Sequence, residues 1–348
     1  MGVESYKPYI AMICAQCIFA GLALFSKAAM TKGMNAYVFV VYRQALATLV
    51  LAPFAFFLES KKSAPLSYIL LCKIFFSSLF GVALCLNLYT SALKYAPATV
   101  AAVNITIIPV ITLIMAVSLK METISMKEWH GIAKVLGCLV CVCGAVVFTF
   151  AKGPPLYSST QKQIPEPSTK HTPKGDWIKG SLIMLSANTT WALWLIMLVP
   201  LVKQYPAKLR LTALQCFFSC MQSAIWAVAM ERNMSSWKLG WDINLVSVVY
   251  CGIIVTGITY WLRVWVIEKK GPVFTALFNP LSLVITAILS VLFFEETLHL
   301  GSLLGAILLV GGLYIVLWGK HKEGKNKETN EQRSETKEET TLECITHK

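Results

Sequence analysis

The stretch Gly271-Pro272-Val273-Phe274-Thr275-Ala276-Leu277-Phe278-Asn279-Pro280 opens a long apolar run that ends at Glu295-Glu296-Thr297. It has an earlier counterpart. Ala96-Pro97-Ala98-Thr99-Val100-Ala101-Ala102-Val103-Asn104 leads through Pro109 into an apolar run that ends at Glu122-Thr123. Aligning Pro97 with Pro272 also aligns Asn104 with Asn279, and the second prolines then differ by four residues, about one helical turn. In the runs that follow, Gly137 and Gly144 repeat the seven-residue spacing of Gly305 and Gly312. A self-similarity of this length describes a duplicated half, and the duplication sets the architecture.

Only 14% of the residues are charged and the mean hydropathy is +0.62, against roughly 25% charge in soluble domains, so the chain is a polytopic membrane protein. About 20 apolar residues cross the hydrocarbon as a helix. The sequence predicts an all-α membrane fold with ten such spans, near 9–30, 36–58, 66–92, 98–119, 129–150, 179–201, 209–230, 243–266, 273–293 and 300–319. Five spans per half is an odd number, so the second half enters the membrane from the opposite side and the repeats are inverted. Residues 9–150 and 179–319 form the two repeats. Residues 1–8 precede them, a Pro/Ser/Thr/Lys-rich flexible linker at 151–178 joins them, and a tail at 320–348 with seven Lys/Arg and seven Glu is expected to be disordered.

The net charge of +13 is scattered between apolar runs, so it reads as a topology signal within a lipid bilayer rather than as a nucleic-acid surface. Lys7, Lys61, Lys62, Lys120, Lys127, Lys203, Lys208, Arg210, Lys269, Lys270, Lys320 and Lys322 fall on one side, which the positive-inside rule makes cytosolic together with both termini. Ten of the eleven cysteines lie inside apolar runs, and their CxxC pairs lack the polar shell of a zinc site, so they are read as small packing residues and no metal or cofactor is expected. Glycines at the GxxxG spacing of Gly301 and Gly305 let helix backbones approach closely, either within a monomer or across a homodimer seam.

Polar groups at membrane depth mark a cavity because they are costly unless paired or wet. Gln16, Asn87, Asn104, Asn188, Thr190, Gln215, Thr256, Tyr260 and Asn279 are the candidates, with Pro109 and Pro280 as paired kinks and Arg43 as an intramembrane charge that either snorkels or serves the site. Trp191 and Trp194 are read first as packing against helices or lipid, and Arg263 is placed near the inner end of its span.

Tyr42-Arg43 with Pro53, Ala92-Leu93-Lys94-Tyr95, and Asn104 with Pro109 resemble the plant EamA-like members of the drug/metabolite transporter superfamily. In the second half, Tyr205-Pro206-Ala207, Gln222-Ser223-Ala224, Glu231-Arg232, Gly240-Trp241-Asp242, Gly271-Pro272-Val273-Phe274 and Gly312-Leu313-Tyr314 through Trp318-Gly319-Lys320 are similar to its early-nodulin-type branch, the Walls Are Thin related or UMAMIT transporters. The likeness runs from about residue 5 to 322. It implies a ten-helix inverted-repeat carrier that moves amino acids, or in some relatives auxin, across the plasma membrane or tonoplast.

No nucleotide-binding loop or catalytic constellation is present, so neither ATP-driven transport nor an enzyme is expected. The acids Glu59, Glu122, Asp242, Glu268, Glu295 and Glu296 cluster at span ends, which favours facilitated over proton-coupled movement. Amide and hydroxyl groups in an otherwise apolar cavity suit a small net-neutral solute such as an amino acid. A carrier of auxin or another indole metabolite, and a non-transporting membrane scaffold or sensor, stand as the alternatives.

Overall fold

In hydrocarbon each backbone group has to find its partner inside its own segment, so apolar runs fold as helices. The computed structural model describes residues 6–59, 66–92, 95, 105–122, 128–150, 155–157, 174–294 and 298–346, and Pro97, Asn104, Glu295 and Glu296 lie outside them. Helix α1 spans Lys7–Thr31, α2 Ala36–Leu58, α3 Tyr68–Ala92, α4 Ile108–Ser118 and α5 Trp129–Phe150. Helix α6 spans Lys174–Gln204, α7 Lys208–Met230 and α8 Ile243–Lys270. Helix α9 comes in two pieces, Pro272–Leu277 and Asn279–Phe294, and α10 is Leu300–Thr346. Starts are capped locally: the side chains of Asn35 and Asp242 accept from the amides of Tyr37 and Asn244, at 2.9 and 3.0 Å.

Among the described residues, eight helices are long and apolar enough to cross a membrane, and the apolar parts at Lys7–Leu22 and Ile108–Ser118 are shorter. Two boundaries differ from the expectation. Within the linker, α6 already begins at Lys174, and Pro155–Tyr157 pairs antiparallel with Leu298–His299. The last helix runs on to Thr346 where a disordered tail was expected.

The duplication is written into the packing. Helices α2 and α7 each have 23 residues and occupy the same place in their halves. They run antiparallel: Glu59 at the end of α2 accepts from the backbone amides of Leu209 and Arg210 at the start of α7, at 3.2 and 3.0 Å. At the opposite end the relation is exchanged, with Asn35 before α2 donating to Glu231 after α7. Equivalent helices that run in opposite directions make the repeats inverted. Neighbours exchange in the same way. Helix α1 packs on α8 and α9, and α6 on α3 and α4; α2 packs on α7 and α8, and α7 on α2 and α3. Both third helices also carry a π-helical stretch, Ser78–Ala83 in α3 and Tyr250–Ile258 in α8.

Helices α5 and α10 form the second self-paired seam, and glycine makes it. A Cβ on Gly305 would stand 2.3 Å from the Phe148 backbone nitrogen, and one on Gly312 would stand 2.7 Å from the Cys141 nitrogen. The close approach is therefore made within the chain. Beyond the glycines, the seam ends in ion pairs. Lys134 pairs with Glu323 and, at 3.8 Å, with Glu122, which also accepts from Lys320 at 2.5 Å.

A Cβ on Gly311 would meet nothing within 4 Å, whereas its neighbour Gly312 faces Cys141 and Gly137. Gly312→Ala is expected to destabilise the protein by about 1–3 kcal/mol through overpacking. Gly311→Ala should be neutral or stabilising by up to about 1 kcal/mol, since alanine favours a helix more than glycine does. Thermal unfolding of the two purified variants checks the contrast.

Candidate functional site

The site grows from the irregular backbone at the middle of α8. Its π-helical stretch places Gly252 so close to α2 that a Cβ there would stand 3.0 Å from the Arg43 carbonyl oxygen. With α2 and α8 that near, Arg43 Nε donates to Thr256 Oγ1 at 2.6 Å and Nη2 to the Tyr260 hydroxyl at 3.3 Å. Thr256 in turn donates to the Cys251 carbonyl at 2.9 Å. Arg43 is 4% exposed, so it turns inward to α8 and does not snorkel to the headgroups.

The other half repeats this arrangement with different chemistry. Arg43 and Gln215 are each the eighth residue of their helix. Gln215 Nε2 donates to Ser77 Oγ at 3.3 Å beside the π-helical stretch of α3, and Ser78 Oγ donates to the Gln215 carbonyl at 2.8 Å. Asn87 Nδ2 adds a second tie from α3 to α7 through Ser223 Oγ at 3.2 Å.

Thr256, Tyr260 and Arg263 follow one another at i, i+4 and i+7, which is one face of a helix. Arg263 is 1% exposed; its Nη1 donates to Asn279 Oδ1 at 3.2 Å. Its guanidinium lies 4.7 Å from the centre of the Phe19 ring and 5.5 Å from that of Trp191. The ring of Tyr260 packs at 5.2 Å against Trp194 and 5.9 Å against Trp191. Asn279 reaches this position because α9 is interrupted at Phe278 and resumes at Asn279, with Pro280 in the new first turn, where no backbone bond is lost. Ile107 before Pro109 has nearly the same backbone angles as Phe278, φ −79° and ψ −19° against φ −78° and ψ −13°.

The structure thus gathers Arg43, Thr256 and Tyr260, and beside them Arg263 and Asn279, while Asn87 and Gln215 form a second group between α3 and α7. Gln16 and Asn188 are buried at 1% and 3% exposure, and Gln16 Nε2 and Asn188 Nδ2 have no protein acceptor. Thr190 is half-buried and turns its hydroxyl to the Ala187 carbonyl of its own helix at 2.8 Å. Sequence reasoning missed Arg263 and Phe19 as members of this group, while Trp191 and Trp194 pack on each other and on Tyr260, as expected of packing residues. The helical spacing from Thr256 to Arg263 was the available signal; nothing marked Phe19. Among the described residues, no carboxylate pairs with Arg43 or Arg263.

Two inverted halves that meet at a buried polar layer are a recurrent design of membrane transporters. A model of the EamA-like transporter family matches residues 7–150 and again residues 178–318, and the chain belongs to that family. It is 54% identical over 334 residues to WAT1-related protein At1g43650 of Arabidopsis thaliana, across 95% of this chain and 96% of that protein. WAT1-related protein At5g64700 of the same plant is 45% identical over 335 residues, across 94% and 93% of the two chains. A solved crystal structure that is 17% identical shares the fold, with a TM-score of 0.67 over 89% of this chain and 97% of its own. The protein is an integral membrane transporter by family and fold.

Gln44, next to Arg43 in α2, is wholly buried, and neither atom of its amide has a protein partner. Each such group costs about 1–3 kcal/mol. Gln44→Met, of similar length and apolar, is expected to raise the melting temperature of the purified protein, read by tryptophan fluorescence.

Proposed function

We propose that the protein carries neutral amino acids by alternating access, as a bidirectional facilitator or exporter driven by the solute gradient. The observation that carries this reading is the layer of amides, hydroxyls and guanidinium groups buried where the two inverted halves cross. Gln16, Asn87, Asn104, Asn188, Thr190, Gln215, Thr256, Tyr260 and Asn279 line the path in this proposal, and the chain at Pro109 and Pro280 flexes. Symmetry-related latches support the alternation: Glu59 holds the start of α7 at one end, and Glu231 binds Asn35 at the other. Opening one while keeping the other exposes the layer to one side at a time.

The placement of acids supports facilitation. Glu59 and Glu231 follow their helices, Asp242 precedes α8, and Glu268 lies in the last turn of α8. None of these stands at membrane depth, where a proton-coupling carboxylate works. The distribution of lysines supports cytosolic termini, and the plasma membrane is the proposed location ahead of the tonoplast. A second reading has its own observation. Phe19 and Trp191 face Arg263, and Trp194 and Tyr260 pack behind Trp191, an aromatic cluster that favours an indole carboxylate such as auxin.

Cells expressing the protein and loaded with mixed amino acids plus indole-3-acetate are expected to lose amino acids selectively. Asn104→Leu and Asn279→Leu should lower that efflux at equal surface abundance; an equal fall of protein and flux would make the two residues packing groups. Selective loss of indole-3-acetate would establish the second reading. Uptake into proteoliposomes driven by a pH gradient alone would replace facilitation with proton coupling.

A further inference from the structure

We propose that Arg263, with Asn279 beside it, anchors the carboxylate of the transported solute, so that the carrier selects its cargo by that group. This deepens the carrier reading above and rests on it. The donors are already arranged for an acceptor. Arg263 spends Nη1 on Asn279 Oδ1, while its Nε and the Asn279 Nδ2 are both buried without a protein partner. Both unused atoms donate, so the group that meets them has to accept. A carboxylate meets a guanidinium edge through two parallel bonds and still has lone pairs for an amide.

Charge points the same way. Arg43 sits on the Tyr260 hydroxyl, one turn from Arg263 on the same face of α8, and adds a second positive charge. Among the described residues neither arginine has a carboxylate partner, and a cationic or purely donating ligand would meet repulsion here. The faces of Phe19 and Trp191 return part of the desolvation cost of the guanidinium and fix its plane. The anchor also touches the parts that have to move. Arg263 in α8 contacts Phe19 of α1, Trp191 of α6 and Asn279, the first residue after the interruption of α9. A bound anion would tie one helix of the first half to three of the second.

The test compares acids with their amides on the purified full chain. Counterflow in proteoliposomes is measured for leucine against leucinamide and for indole-3-acetate against indole-3-acetamide, which also separates the two carboxylate sources. The acid is expected to exceed its amide by about tenfold or more, the size of one lost charge-assisted bond. Arg263→Gln should collapse that ratio and Arg263→Lys retain part of it. In parallel, the same solutes are tested for raising the melting temperature in detergent, where no flux is needed. Equal transport of acid and amide would overturn the anchor and leave the carrier standing. Acid-dependent stabilisation without flux would keep the anchor and overturn the carrier. No flux and no stabilisation by any carboxylate would overturn both, and none of the parent-protein comparisons depends on a variant folding.

Discussion

The structure depends on one constraint: inside hydrocarbon a backbone group has no partner but the protein. That requirement makes the chain helical, and it also decides where the helix can be irregular. The two π-helical stretches, at Ser78–Ala83 and Tyr250–Ile258, and the interruptions at Ile107 and Phe278 leave carbonyls and amides that only a protein-lined interior can satisfy. Irregular backbone and polar side chains therefore collect in the same layer. Thr256 illustrates the link: its hydroxyl donates to the Cys251 carbonyl, five residues back in the π-helical stretch, and accepts from Arg43 of α2.

Duplication supplies two versions of this layer, and the two have diverged. At the eighth position of the second helix one half has Arg43 and the other Gln215. The Gln215 side is a set of neutral ties between α3 and α7, which hold the helices together. The Arg43 side is charged, faces aromatic rings and carries a further arginine. The ends remain related, with Glu59 and Glu231 each following its helix and accepting at the start of the other, Glu59 from two backbone amides and Glu231 from the Asn35 side chain. Pseudo-symmetric ends around a shared centre are the arrangement on which alternating access is built.

Much of this was legible in the residues. The repeat of Pro97 and Asn104 in Pro272 and Asn279, the odd number of apolar runs in each half and the spacing of Gly137, Gly144, Gly305 and Gly312 reveal duplication, inversion and a close helix seam, because periodicity and length are local properties. Candidate polar residues were legible as a set, since any amide at membrane depth needs a reason. Their grouping was not. Symmetry alone joins Gln16 and Asn188 to the rest, whereas the described contacts gather Arg43, Thr256, Tyr260, Arg263 and Asn279. Lys134 carries no signal in the sequence because its partner Glu323 is 189 residues away.

The sequence by itself determined the class: membrane helices, two inverted halves, acids at the ends and amides within, all consequences of hydropathy and spacing. Only the tertiary structure decided what the centre is made of. Whether Arg43 snorkels or turns inward depends on how near α8 comes, and that is set by Gly252 and a π-helical stretch, which no periodicity announces. Whether Trp191 and Trp194 face lipid or the protein interior depends on Arg263 and Tyr260 standing opposite them. Such contacts join residues far apart in the chain, so they exist only once the two halves have crossed.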